Sequence, residues 1–509
     1  MKIAFIGAGS VGFTRRLVGD ILAVPELRKT RITFMDIDEG NLDRVYQLTQ
    51  RDIEANGIDI QIERTLDQRE AVKDANYVFC VVRVGGLEAF PHDINIPLKY
   101  GVDQCVGDTL CAGGIFYGQR GIPVILDLCK DIREVGAPDA LLLNYSNPMA
   151  MLTWAANQYG GVDCVGLCHG VQGGRAQIAK ALGIPTEELD IICAGINHQT
   201  WYVQLKHKGR EIGKEELIAA YEAHPDLSQT EKVRIDMLKR FGCYSTESNG
   251  HLSEYLPWYR KREGEINDWI SLDRSWIDGE TGGYLRVCTE SRNWFKEDFP
   301  NWLKEPPKDY SDPDNRSHEH GSYILEGLET GRIYRGHFNR VNHGVITNLP
   351  DDCVIEAPGY VDANGINMPL VGDLPLGCAA VCLNSINVQR LAVEAAVHAD
   401  IELLRQAMLL DPLVGAICNP PEVWQMTDEM LVALAPWMPQ WQAEAERAKK
   451  RLEEGPRVST REDFAGAARK ETASMEEMAK RAEESRKMAA ESDRGMADLH
   501  KKEKAEAKS

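Results

Sequence analysis

Apolar positions fall along this chain in two rhythms. In its first part, short unbroken apolar runs at residues 2–6, 32–35, 61–65, 77–82, 141–144, 162–167 and 191–196 alternate with stretches in which apolar residues recur every three to four positions, as over 14–22 and 126–135. Runs of the first kind read as strands buried on both faces, and the stretches between them as crossover helices, which predicts a parallel sheet. Residues 105–121 carry too many glycines for a helix interior, including Gly107, Gly113 and Gly114, and read as a binding loop. At Asn147-Pro148 a strand should turn into a helix, with Asn147 as its cap and the proline at the first helical position. From about residue 200 the rhythm changes to longer helices (217–221, 233–241, 384–403, 405–410), irregular connections and hairpin material at 339–350 and 361–366.

Beyond Trp441 the residues are mainly Ala, Glu, Lys, Arg and Met. Met475, Met478, Ala482, Ser485, Ala489, Ser492, Met496 and Leu499 keep a three-four spacing, but Ala and Ser bury little, so a frayed or partner-dependent helix is expected there. The predicted architecture is therefore α/β: a doubly wound Rossmann-type domain over 1–195, an α+β domain over 196–441 that serves substrate binding and dimerisation, and a charged helical or partly disordered tail over 442–509.

At 509 residues the chain exceeds what one core normally holds. Its thirteen cysteines form no paired CxxC knuckles and it opens on a strand pattern, which points to reduced thiols in the cytoplasm. No apolar run reaches the roughly twenty residues a membrane span needs. A net charge of −20 argues against nucleic acid and anionic membranes as partners. A small-molecule ligand and assembly as a homo-oligomer, dimer or tetramer, are expected instead.

The first strand runs into Gly7-Ala8-Gly9-Ser10-Val11-Gly12 and then a helix, which is the dinucleotide fingerprint in its required context. Gly7 should make the turn, Gly9 should admit a pyrophosphate with Ser10 beside it, and Gly12 should permit close helix-to-strand packing. Asp36 ends the next strand, where a carboxylate receives ribose hydroxyls and repels a 2′-phosphate, so NAD is expected over NADP. Arg83, followed by two glycines, is placed to reach cofactor or substrate. Cys168-His169 and His198 each emerge past a strand end, so a thiolate and an imidazole are expected to converge on one divalent metal. Residues 242–255 gather Glu247, His251 and Tyr255 in a turn-rich segment. A metal beside nicotinamide says oxidoreductase chemistry before anything else.

IGAGS at the start, MDID at 35–38, VGG at 84–86, GDT at 107–109, NYSNPMAM at 144–151, VGLCHG at 165–170, AGINH at 194–198, TNLP at 347–350 and DANGI at 362–366 together resemble glycoside hydrolase family 4. The resemblance covers residues 1 to about 441. It implies a glycosidase in which NAD⁺ oxidises the sugar at C3, a base removes the acidified C2 proton, a divalent metal, usually Mn²⁺, stabilises the resulting charge, and the C1–O bond is lost by elimination before water adds. Cys168 and His198 match the metal ligands, and Asn147 matches the asparagine on the substrate hydroxyls, with Arg83 and Asp108 as further substrate-binding candidates. His169 stands where the acid acts in some members and where phosphate-specific members carry other residues, which implies an unphosphorylated substrate. Glu247, His251 and Tyr255 compete for the base, His251 slightly ahead of Glu247.

The motifs look closest to the melibiase type, so a terminal α-galactoside is the expected substrate. Gly170, where those enzymes usually have serine, leaves an α-glucosidase or an α-glucuronidase or galacturonidase as alternatives. A plain NAD-dependent dehydrogenase and an inactive NAD-sensing scaffold are the rivals outside the family.

Overall fold

The apolar runs of the first part line up side by side. In the computed structural model, which describes residues 1–272 and 274–487, β1 (Lys2–Ile6), β2 (Arg31–Met35), β3 (Ile62–Thr65), β4 (Tyr77–Cys80), β5 (Leu141–Asn144) and β6 (Cys164–Gly166) run parallel in the order β3-β2-β1-β4-β5-β6. Parallel neighbours need crossovers. These are α1 (Val11–Ala23), α2 (Glu39–Ala55), α3 (Gln68–Val72), α4 (Gly86–Lys99), α5 (Cys111–Val135) and α6 (Met149–Ala155), with α7 (Gly170–Leu182) following β6. Because side chains alternate across a strand, Ile3, Phe5, Phe79, Leu143 and Val165 enter one core, while Ala4, Ile6, Val78, Cys80, Leu142 and Cys164 enter the other. Phe5 and Phe79 stack at 4.7 Å between ring centres.

The sheet does not stop near residue 195. β7 (Leu189–Ile196), β8 (Gln199–His207), β9 (Arg210–Glu211), β10 (Tyr244–Ser245), β11 (Tyr334–Val341), β12 (Val354–Asp362) and β13 (Gly365–Asn367) extend it to thirteen strands among the described residues. The joint is antiparallel: β11 meets β6 through Asn339 and Gly166, and β12 meets β7 through Glu356 and Gly195. The later part of the chain thus inserts two strands between β6 and β7, which follow one another in sequence.

Three local expectations change. Of the glycine-rich stretch read as a loop, residues 105–110 are irregular as expected, but 111–121 form the first half of α5, where glycines are packing positions: a β-carbon on Gly118 would lie 2.9 Å from Met151 Sδ, and one on Gly121 2.9 Å from a Leu152 methyl. The low intrinsic helix propensity of glycine is offset by the close approach of α6. Asn147 is not a cap; the helix starts at Met149 with Pro148 as its N-cap. Gly12 is exposed with open space where a β-carbon would sit, so helix-to-strand packing does not explain it.

The C-terminal segment is docked rather than free-standing over its described part. After the helix Gln442–Glu454, the chain crosses the body as a strap: the Arg461 N–H donates to Lys99 O (2.9 Å), the Ala467 N–H to the Asp103 carboxylate (3.0 Å), and the Ala473 N–H to Glu290 (2.7 Å). Residues 475–487 are helical, and Arg486 of that helix pairs with Asp298. The seam positions Ala489, Ser492, Met496 and Leu499 lie outside the described residues. Among the described residues one helix, Leu376–His398, is long and apolar enough on average to cross a bilayer, but Asn384, Gln389, Arg390 and Glu394 interrupt its apolar run and it packs against α5, α6 and β7 in the core.

Candidate functional site

All six parallel strands end on the same edge, so the segments that follow them share that edge. Gly7 to Gly12 follow β1, Asp36 follows β2, Arg83 follows β4, Asn147 follows β5 and Cys168 follows β6. Gly7 takes φ +88°, and a β-carbon there would meet the Val81 carbonyl at 2.8 Å, so only glycine lets the β1 turn lie against the end of β4. The Gly9 N–H donates to Asp36 Oδ2 (2.8 Å), and a β-carbon on Gly9 would press on that carboxylate. Burial pushes the Asp36 carboxyl up, against the backbone N–H groups of Asp38 and Gly9 that favour its charge. Ser10 is the N-cap of α1, and the first turn of α1 holds no acid. Glycine turn, acid-free helix start and carboxylate fit a dinucleotide whose pyrophosphate meets the helix and whose ribose meets Asp36.

Further along the edge, Cys168, His198 and Glu247 each point one donor atom into a common space, the three atoms lying within 4.8 Å of one another. Glu247 Oε2 is 3.2 Å from His198 Nε2 and 3.5 Å from Cys168 Sγ. Soft thiolate, imidazole and hard carboxylate together fit a borderline divalent ion. Asp108, His198 and His251 form a second such group that shares His198. His198 sits in the turn between β7 and β8 at φ +62°, a costly conformation for a non-glycine residue. It is held from both ends. Its backbone N–H faces the Glu356 carboxyl, and its Nδ1 meets the Thr109 hydroxyl at 2.9 Å, which donates on to Asp108 Oδ1 (2.8 Å).

The other predicted residues divide. Asn147 donates to Asp108 Oδ2 (3.0 Å), and its Oδ1 has no protein partner, so both belong to this space. His251 packs edge-on to His198, ring centres 5.0 Å apart, and Ser248 Oγ holds its Nδ1 at 2.8 Å. Burial, then the neighbouring His198, holds His251 down at about 4. Burial alone would push the Glu247 carboxyl up, but the rings of His198, His251 and His169 override it and keep it at about 2. Tyr255 reaches His198 Nδ1 at 3.5 Å, at the margin of a hydrogen bond. His169 is more open: its side chain is 61 % exposed and its Nδ1 lies 3.5 Å from Glu319, while its ring still acts on the Glu247 carboxyl. Arg83 is set among aromatic rings, 3.8 Å from the Phe90 centroid and 4.9 Å from that of Tyr117, with Nε and Nη2 unpaired.

Sequence reasoning missed several groups. Glu356 is a buried carboxyl on β12, pushed to about 8 by burial and then by the charge of Glu247; its one signal was an acid inside an otherwise apolar strand. Glu254 accepts the backbone N–H groups of Cys105, Val106 and Gly107 (2.6–3.0 Å) and so shapes the turn that carries Asp108. His320 lies 3.1 Å from the Cys168 carbonyl. Nothing local in the sequence marked Glu319 or His320, and Thr109 stood out only as the last residue of the GDT motif at 107–109.

Fold and site together define an enzyme of the Rossmann type, with a nucleotide-binding turn and a thiolate–imidazole–carboxylate cluster on one sheet edge. The chain belongs to family 4 of the glycosyl hydrolases. The family model matches residues 2–184, and the model of the family's C-terminal domain matches residues 193–414. The chain is 60 % identical over 477 residues to an alpha-galactosidase of Rhizobium meliloti (strain 1021), covering 94 % of this chain and 96 % of that one. It is 34 % identical to an alpha-galactosidase of Bacillus subtilis (strain 168), covering 86 % and 99 %. Among solved structures, the 6-phospho-beta glucosidase from Thermotoga maritima with manganese, NAD⁺ and glucose-6-phosphate shares the fold at a TM-score of 0.69 and 23 % identity, covering 86 % of this chain and 99 % of that one.

Proposed function

We propose that this chain is an α-galactosidase that removes terminal α-galactosyl groups with catalytic NAD and a divalent metal, Mn²⁺ in the first instance. The observation that carries the reading is the meeting of Cys168, His198 and Glu247 on the edge that also holds the Gly7–Asp36 turn. The choice of galactoside rests on the 60 % identity to an alpha-galactosidase over nearly the whole chain.

Cys168 and His198 would hold the metal, and Gly7, Gly9, Ser10, Gly12 and Asp36 the cofactor. When bound, the nicotinamide accepts and returns a hydride at the sugar C3 while the cation polarises the adjacent oxygens, which brings the C2 proton within reach of a protein base. Asn147 and Asp108, already joined to each other, offer Asn147 Oδ1 to a sugar hydroxyl. His251, kept neutral and oriented by Ser248, is the group ready to take the C2 proton. His169, exposed beside Glu319 and close enough to act on the Glu247 carboxyl, would protonate the leaving oxygen at C1 and be recharged from water. Arg83, whose Nε and Nη2 are buried without a protein partner, would offer these donors to the substrate.

The test is a panel of p-nitrophenyl α-galactoside, α-glucoside and α-uronides, assayed under reducing conditions with NAD⁺ and Mn²⁺ added or withheld. Cleavage of the galactoside that needs both additions, and slows when C2 carries deuterium, is expected. Steady accumulation of NADH without glycoside cleavage would instead identify a dehydrogenase.

Asp36→Ala removes an acceptor of the Gly9 N–H and the proposed ribose partner. Losing a hydrogen bond to a charged group costs about 1.5–3 kcal/mol, so NAD⁺ affinity should fall at least tenfold while NADP⁺ gains relative to it. Unchanged NAD⁺ titration in this variant would remove Asp36 from the cofactor site.

Thirteen free cysteines support a reducing, cytoplasmic setting. Assembly with further copies of the chain, as a dimer or tetramer, would cover the exposed Leu370 and Leu376.

A further inference from the structure

Gly170 occupies the first position of α7, two residues after Cys168, and its φ lies outside the left-handed region, so the backbone there does not demand glycine. The demand comes from across the site. The three heavy atoms nearest to an ideal β-carbon on Gly170 all belong to one group, the Glu247 carboxylate, and the nearest of them, Oε2, would overlap it. That same oxygen is the one 3.2 Å from His198 Nε2 and 3.5 Å from Cys168 Sγ. The missing side chain at 170 therefore creates the space in which a carboxylate stands between a thiol and an imidazole.

We propose that Glu247 is a third protein ligand of the divalent ion in this chain, and that Gly170 is the residue that admits it. The inference rests on the reading that Cys168 and His198 hold that ion. Thiolate and carboxylate supply two negative charges and the imidazole a neutral donor, so the set neutralises a divalent ion while leaving positions open for substrate oxygens, as catalytic sites with three protein ligands do. The Glu247 side chain is 13 % exposed, so the group is already desolvated before metal arrives. The alternative role for Glu247, a free base at the sugar C2, uses the same oxygen, and a carboxylate committed to the cation is not available for it.

The colliding atoms are the far end of a flexible side chain. A serine at 170 is therefore tolerated by the fold but swings the carboxylate off the ligand position, which gives a clean experiment. Full-length protein is titrated with Co²⁺ under reducing conditions, following the sulfur-to-cobalt absorption band, and with Mn²⁺, following free Mn²⁺ by electron paramagnetic resonance; NAD⁺ binding and the thermal melt serve as controls.

Glu247→Gln is expected to weaken both metals at least tenfold while the sulfur-to-cobalt band survives at saturation and the controls hold. Gly170→Ser is expected to weaken them similarly. The double variant should bind no worse than Glu247→Gln alone, because both changes remove one ligand, and Glu247→Asp should recover part of the loss. Wild-type metal affinity in Glu247→Gln overturns the ligand assignment. Wild-type affinity in Gly170→Ser, or fully additive losses in the double variant, overturns the part given to the glycine. Cys168→Ser, run in parallel, must lose the band; if it does not, the underlying reading of the metal site has failed rather than the role of Glu247.

Discussion

Cys168→Ser should lower kcat/KM for the glycoside by at least a thousandfold, equivalent to about 4 kcal/mol of transition-state stabilisation, while NAD⁺ affinity and the thermal melt stay close to those of the parent. Serine keeps the volume of this buried side chain but offers a neutral hydroxyl in place of a thiolate, which is the form that binds metal. Burial, then the charge of Glu247, pushes the Cys168 thiol well above its ordinary value, so without metal it stays protonated at neutral pH. Binding a cation must therefore expel that proton. It follows that metal affinity rises with pH and that each ion bound releases acid, which an unbuffered titration detects. Full activity of Cys168→Ser with excess Mn²⁺ would reject the ligand assignment.

Arg120→Met should destabilise the fold by about 3–5 kcal/mol, because it strands a charge in the core. Arg120 on α5 and Asp93 on α4 are both almost fully buried and joined by two hydrogen bonds of 2.6 and 2.8 Å, and Arg120 Nε also reaches the Val84 carbonyl. With the guanidinium gone, the Asp93 carboxylate is left in a site where burial already pushes its pKa up. Replacing Asp93 by leucine in the same chain should recover much of the loss. The pair has a functional reach, since α4 begins just after Arg83 and α5 just after Asp108 and Thr109. Urea unfolding of the single and double variants measures both effects; a single variant within about 0.5 kcal/mol of the parent, the usual range for surface substitutions, would show that the pair does not brace these helices.

Part of this site was legible because its signals are local. Gly7, Gly9 and Asp36 announce themselves through the order strand, glycine turn, helix, strand and acid, and the structure joins Gly9 to Asp36 directly. Cys168 and His198 were legible because each follows an apolar run; Cys168 lies just past a parallel strand, which faces it to the binding edge, whereas β7 is antiparallel to its neighbours and the turn into β8 is what carries His198 there. The helical start of α5 was hidden because its glycines answer to Met151 and Leu152, residues some thirty positions away, rather than to helix propensity. His169 shares a motif with Cys168 but not its surroundings: it is the N-cap residue of α7, and its ring is largely exposed beside Glu319.

Local spacing was enough for the strands of the nucleotide-binding half, for the glycine turn against Asp36 and for the placing of Cys168 and His198 past strand ends, because each follows from order within a few residues. Packing in three dimensions set the rest: β11 and β12 are inserted beside β6, Glu356 and Thr109 brace His198 from opposite ends, and Glu247 fills the space Gly170 leaves. Those partners come together through an antiparallel joint and buried polar contacts between distant segments. No periodicity along the chain encodes such contacts; they are selected only when the packed core removes water and each buried polar group must find a partner.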